Sequence, residues 1–282
     1  MPAQLIKDLI DAGIHYGHRV SRWNPKMKPY IFGKRNLIHI INVKETLKGI
    51  LLAKRFLMQI VGDGKDVVLV GTKRQARKAI EENVQRINMH SVTDRWLGGT
   101  LTNFREIRKR IGRLDHLEKL EAEGQLDTYS KREGSSLRRE MRKIRRNLGG
   151  IRRMERLPGA MVVIDQRREI NAIREANKMG IPVVCLLDTD CDPELVDIPI
   201  PGNDDAMRAI ELVVKELCDA IEAGFHGRTD KAVQATEEHG AGPHRRSRRV
   251  MARAGQDEAG EKPQPPAQQA PPPAPAEPVP EA

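Results

Sequence analysis

Long apolar runs are missing from this chain. Nowhere do eighteen apolar residues stand in succession, so no segment reads as a membrane-spanning helix. The amino-terminal MPAQLIKDLIDAG reads as an amphipathic helix rather than a signal sequence, and the expectation is a soluble, cytoplasmic protein with no membrane partner. Cysteine is scarce. Cys185, Cys191 and Cys218 form no CxxC pair, and their odd number and wide spacing argue against a disulfide framework and a zinc site, leaving buried small residues. Neither GxxxxGK[ST] nor GxGxxG is present, and no catalytic constellation is complete. The reading is therefore a non-enzyme with no small-molecule substrate and no cofactor.

What is abundant is positive charge. The 282 residues carry a net charge of +10 with a pI near 9.6, which favours a polyanionic partner. Aromatics make up only 3% of the chain, and several stand among its cations. Two blocks, His15 to Asn36 (HYGHRVSRWNPKMKPYIFGKRN) and Asp94 to Ile107 (DRWLGGTLTNFREI), mix aromatic faces, basic side chains and glycine turns. Arg and Lys there offer charge-assisted bonds to phosphates, and Trp23, Tyr30, Phe32 and Trp96 offer planar faces to unstacked bases. Phe32 and Trp96 read equally well as core anchors, whereas Trp23, among polar turn formers, is expected to be exposed. The residues expected to contact RNA or neighbouring proteins are His18, Arg22, Trp23, Lys26, Lys28, Arg35, Arg95, Asn103, Arg105 and Arg108.

From about Ile38 onward, short apolar runs alternate with helical patterns, which predicts an α/β fold with a parallel sheet covered by helices. Candidate strands are 37–41, 66–71, 160–165, 181–188 and 197–200, near-continuous in Val, Ile and Leu as strands buried on both faces are. Helices are predicted over 43–61, 72–88, 168–179 and 204–223, the last with Asn203 as N-cap, Asp204 and Asp205 at its positive end, and Gly224 as its stop. Between the second and third strands, residues 101–151 lack any strand-like run. Phe104, Ile107, Ile111, Leu114 and Leu117 in a first arm, and Leu137, Met141, Ile144, Leu148 and Ile151 in a second, recur at three-and-four spacing and predict a helical hairpin with two facing apolar seams. Asn103 with Glu106 and Ser130 with Glu133 resemble capping boxes, and Gly134-Ser135-Ser136 predicts fraying or a kink.

The hairpin's surplus of Arg, Arg105, Arg108 and Arg142 among them, suits an RNA backbone. The domain reading is a body of 1–100 with 152–227, an inserted basic hairpin of 101–151, and a disordered Pro/Ala-rich tail of 228–282.

Three local patterns invite other chemistry. In VLVGTKRQA (68–76) a strand runs through Gly71 into a helix start, where Lys73 and Arg74 fit an RNA phosphate better than a mononucleotide. In CLLDTDCDPE (185–194), Asp188 and Asp190 follow a strand at its carboxyl end, and the alternative reading is an Asp-dependent phosphotransferase or phosphatase. That enzyme would want a hydroxyl residue where Asp192 stands, and Pro193 spoils the same stretch as a calcium loop. His15 and His18 are spaced to share a metal but lack further ligands beside them, so hydrogen bonding to backbone or RNA is the preferred reading.

Long colinear segments, AGIHYGHRVSRWNPKMKPYIFGKRNLIHIIN, VLVGTKRQA, DRWLGGTLTNF, NLGGI, LPGAMVVID, EANKMGIPVV and LLDTDCDPELVDIPIPGNDDAMRAI, run in order across most of residues 3–223. Through them the chain resembles the bacterial small-subunit ribosomal proteins of the "S two" family. The resemblance implies a flavodoxin-like three-layer α/β/α domain bearing an inserted coiled-coil hairpin. It implies an architectural role as well: binding 16S rRNA between head and body of the small subunit and helping to recruit the mRNA-binding ribosomal protein "S one". A structural Mg2+ shared with RNA stays open. The departures from the family pattern are the Gly/Ser-rich TYSKREGSSLRRE and the Pro/Ala/Gln tail.

Overall fold

The computed structural model describes residues 2–240. Its elements in chain order are α1 (Pro2–Asp11), β1 (Tyr16–Arg19), β2 (Ile31–Arg35), β3 (Ile38–Ile41), α2 (Val43–Gly62), β4 (Val67–Val70), α3 (Arg74–Ile87) and β5 (His90–Val92). After these come α4 (Phe104–Ala122), α5 (Lys131–Leu148), β6 (Ala160–Ile164), α6 (Ile170–Met179), β7 (Val183–Leu187), β8 (Ile198–Pro201) and α7 (Met207–Gly240).

Five strands form a parallel sheet in the order β5-β4-β6-β7-β8. Successive side chains on a strand point to opposite faces, and here both faces are covered. Val67, Leu69, Val162, Val184 and Leu186 pack with α2, α3 and α7 on one side. Val68, Val70, Met161, Val163, Cys185 and Leu187 pack with α6 and the roots of α4 and α5 on the other. Each fully buried Leu, Ile or Val contributes about 1.5–3 kcal/mol relative to exposure, so the two faces hold the sheet in a three-layer α/β/α stack. Because β5 lies to one side of β4 and β6 to the other, the strand order reverses between β4 and β6. In open α/β sheets that reversal opens a crevice at the carboxyl ends of the strands.

The predicted run 37–41 does form a strand, but not in this sheet. As β3 it is the centre of a separate antiparallel sheet, β1-β3-β2. Its flanking strands YGHR and IFGKR are too polar and too short to show a clear period, and β5 is only HSV.

Two further expectations are corrected. Gly224 does not stop α7. A Cβ there would lie 2.8 Å from the Met58 carbonyl oxygen, so this glycine lets α7 pass close over α2. The backbone continues as helix to Gly240, past the boundary set at residue 227, and the remainder of the expected tail lies outside the described residues. Asn203 organises the approach rather than capping the helix: its Oδ1 accepts from the N–H groups of Asp205 and Ala206, and the helix begins at Met207.

α4 and α5 stand side by side, joined through a short 3-10 turn, with Leu114, Leu117 and Met141 buried in their shared seam. The Ser130–Glu133 capping box is present, whereas Asn103 makes no side-chain cap bond. α5 runs unbroken through Gly134, where a Cβ would sit 3.1 Å from the Leu126 carbonyl. The glycine that predicted fraying instead admits the connecting turn.

Candidate nucleic-acid interface

At the carboxyl ends of β4, β6 and β7, charged side chains converge on the crevice. Lys73 follows β4 and is buried, with Nζ 2.8 Å from Asp204, 2.7 Å from Asp205 and 3.4 Å from Asp165. Its three carboxylate neighbours outweigh the cost of burial and hold the ammonium above its ordinary value. Burial, with Asp165 and Asp188 nearby, pushes the Asp204 carboxyl up to about 7. His18, from β1, places Nδ1 3.2 Å from Asp188 and Nε2 3.6 Å from Asp190, and its backbone N–H donates to Asp188 and Thr189. The hydrogen bond to Asp188 raises its imidazole to about 9, so it is a cation at neutral pH. His18, Asp188 and Asp204 each offer a ligand atom within 4.8 Å of the others, a spacing that can hold a divalent ion. Protonated His18 and Lys73 already supply positive charge to those carboxylates. His15 is not part of this group, and its ring tilts against Tyr16 with centroids 4.1 Å apart.

The same contacts give the phosphotransferase reading no support. Asp188 holds His18 and the Thr189 N–H, Asp190 pairs with Arg167 at 2.6 Å, and Asp192 pairs with Lys26 at 2.9 Å. Each carboxylate is engaged by a cation or a backbone N–H of this chain. The cysteines are buried, and burial pushes the Cys218 thiol up to about 12.

The loop between β5 and α4 is shaped by one residue of α6. The buried carboxylate of Glu175 accepts from the Trp96 indole N–H and from the backbone N–H groups of Gly99, Leu101 and Thr102. Burial alone would raise its carboxyl, but these donors outweigh it and hold it below the ordinary range. Trp96 is thus a core anchor, only 9% exposed. Glu175 is a residue that the pattern reading missed. A carboxylate beside Ala172, Ile173 and Ala176 on a buried helix face was the available signal.

The β1-β3-β2 lobe is the opposite case. From residue 12 to residue 44 there is no Asp or Glu, while Arg19, Arg22, Lys26, Lys28, Lys34, Arg35 and Lys44 all fall within it. Arg22, Lys28 and Arg35 are exposed, as are Arg19 and Lys34. Phe32 is 79% exposed, which settles its reading as a surface residue. Trp23 lies at the surface as expected and tilts against His39, ring centroids 5.2 Å apart. Lys26 is exposed too, and Asp192 and Glu194 both engage its ammonium.

On α4 and α5 part of the charge is answered by nearby carboxylates. Lys109 meets Glu106, Arg113 meets Glu140, Arg145 meets Glu118, and Arg152 meets Asp115 and Glu118. Arg108 donates to the carbonyls of Arg152 and Met154, both at 3.1 Å, and so fixes the root of the helices. Arg105 and Asn103 are exposed, and exposed Arg142 donates through Nε to the Arg138 carbonyl. Arg95 joins Arg110, Arg113 and Lys143 around a groove of about 590 Å³ at this root. Arg74 is exposed at the first turn of α3. Of the thirteen residues expected to make contact, His18, Lys26, Lys73 and Arg108 also hold partners within the chain, in each case a carboxylate or carbonyl from a distant segment.

Comparison with known proteins adds the following. The family described as Ribosomal protein S2 matches residues 9–224. The chain is similar to the small ribosomal subunit protein uS2 of Rhodopirellula baltica, 54% identical over 224 residues that cover 79% of this chain and 86% of the relative. It is likewise similar to the small ribosomal subunit protein uS2 of Synechocystis sp., 50% identical over 230 residues that cover 82% and 86%.

Proposed function

Because the chain belongs to the ribosomal protein S2 family, a family of structural and non-catalytic proteins of the small ribosomal subunit, we propose that it sits on that subunit by binding 16S rRNA between head and body. The observation that carries this reading is the carboxylate-free stretch of residues 12–44, folded into a lobe whose cations are mostly exposed. Phosphate contacts fix position without reading sequence, and a surface of one sign needs no catalytic group to do so. The proposed place of action is the cytoplasm, where small subunits engage messenger. Recruitment of the mRNA-binding protein "S one" is the second part of the proposal and rests on family membership.

Sedimentation of the tagged full chain with small subunits at rising salt tests the first part. One copy per subunit, released only at high salt, is the expected result, and a chain that stays in a separate pool contradicts it. The second part predicts that subunits assembled without this chain lose "S one", and subunits that retain it in full would overturn that part.

A further inference from the structure

The turn between β2 and β3 consists of two residues, Asn36 and Leu37, closed by the pairing of Arg35 with Ile38. Their φ angles of 50° and 63° put both in the left-handed region, as a type I′ hairpin turn requires. Asparagine tolerates that region, and glycine is the residue such a turn favours at the second position. Leucine is a poor choice, because its Cβ crowds the following carbonyl. It gains little packing in exchange, since Leu37 is 78% exposed. The conformation is nonetheless held: the Leu37 carbonyl accepts from the Val20 N–H at 2.9 Å, tying the tip to the end of β1. A strained backbone that displays an apolar side chain to solvent costs stability in the free protein, and such strain collects where a surface is used.

We propose that this hairpin tip is an RNA-docking element, in which Leu37 and Phe32 lie against unstacked nucleotides of 16S rRNA while Lys34 and Arg35 take the adjoining phosphates. The inference rests on the ribosomal reading above and assigns its contact. Charge favours RNA over a protein as the occupant. The apolar side chains stand in a stretch with cations and no carboxylate, so a protein partner would need an acidic face, whereas RNA presents phosphates beside every base.

The test uses the full chain and small subunits assembled without it. Leu37→Gly relieves the strain, so its unfolding temperature is expected to rise by about 2 °C while its affinity for subunits falls by about tenfold, the effect of one lost base contact. A photoreactive benzoylphenylalanine in place of Phe32 is expected to cross-link to 16S rRNA. Unchanged affinity of Leu37→Gly, or a cross-link to a ribosomal protein, overturns the proposal even if the wild-type chain binds normally. A wild-type chain that does not bind subunits refutes the underlying ribosomal reading instead. A lower unfolding temperature for Leu37→Gly contradicts the strain argument directly.

Discussion

The β1-β3-β2 lobe and the α4–α5 pair are both basic, yet their charges stand in different company. Residues 101–151 hold fourteen Lys and Arg with eight Asp and Glu, and residues 12–44 hold seven with none. In the helices, carboxylates on the same or facing arm reach several of the cations, as in Glu106 with Lys109, Glu140 with Arg113 and Glu118 with Arg145. In the lobe only distant segments can answer, and among the described residues Lys26 is the one Lys or Arg so reached, by Asp192 and Glu194. Surplus charge in a segment therefore overstates what is free to meet RNA. The cations without local carboxylates matter more than the total.

The comparison is sharpened by disturbing each region separately. The largest effect is expected at the root of the helices. Glu175→Ala leaves the Trp96 indole and the N–H groups of Gly99, Leu101 and Thr102 without their acceptor. The expected loss is about 3 kcal/mol or more, read as a lowered denaturation midpoint with new protease cleavage in residues 94–103. Stability within 1 kcal/mol of wild type would mean that the loop is held by packing alone.

The lobe is pinned to the body through His18, and that pin is sensitive to pH. Its imidazole titrates at about 9 in the folded chain against an ordinary 6.5, so its contribution is complete below pH 6.5 and is lost as pH rises through 9. Allowing for its partial exposure, stability should fall by about 2 kcal/mol over that window. Asp204, raised to about 7, adds a loss of the same sign at lower pH. His18→Gln should flatten the upper limb of the profile, as thermal unfolding from pH 6 to 9.5 would reveal, and an unchanged slope would remove His18 as its source.

The smallest effect is expected from Glu118→Gln. Exposed ion pairs contribute about 0–1 kcal/mol, so stability should barely move. Arg145 and Arg152 are released from that carboxylate, however, and binding to subunits should become more dependent on salt. No change in salt dependence would place those arginines away from RNA.

The parallel sheet was legible because its strands are apolar on both faces, and residues 66–71, 160–165 and 181–188 differ from β4, β6 and β7 only at their ends. The two arms of the helical insertion were legible from the spacing of Leu114, Leu117 and Met141. The small sheet was hidden, since YGHR and IFGKR owe their strand form to pairing with β3 rather than to any period of their own. The site was half legible. Exposure of Trp23 followed from its polar, turn-rich surroundings, whereas the partners of Lys73 and Lys26 lie more than 90 residues away along the chain and only the fold brings them together. Long-range pairing of that kind leaves no local trace, and neither does the strain at Leu37, which is a property of the backbone.

The central claim is that the lobe outweighs the helices in holding RNA. Its most direct test is the salt dependence of binding to small subunits for two triple variants, Arg22→Ala/Lys28→Ala/Arg35→Ala in the lobe and Arg105→Ala/Arg108→Ala/Arg142→Ala in the helices. Each lost phosphate contact lowers the slope of log K against log salt by about 0.7–0.9. A reduction of about 2 for the lobe variant, with a clearly smaller one for the helical variant, is the predicted result. Equal slopes, or the larger loss in the helices, would contradict it.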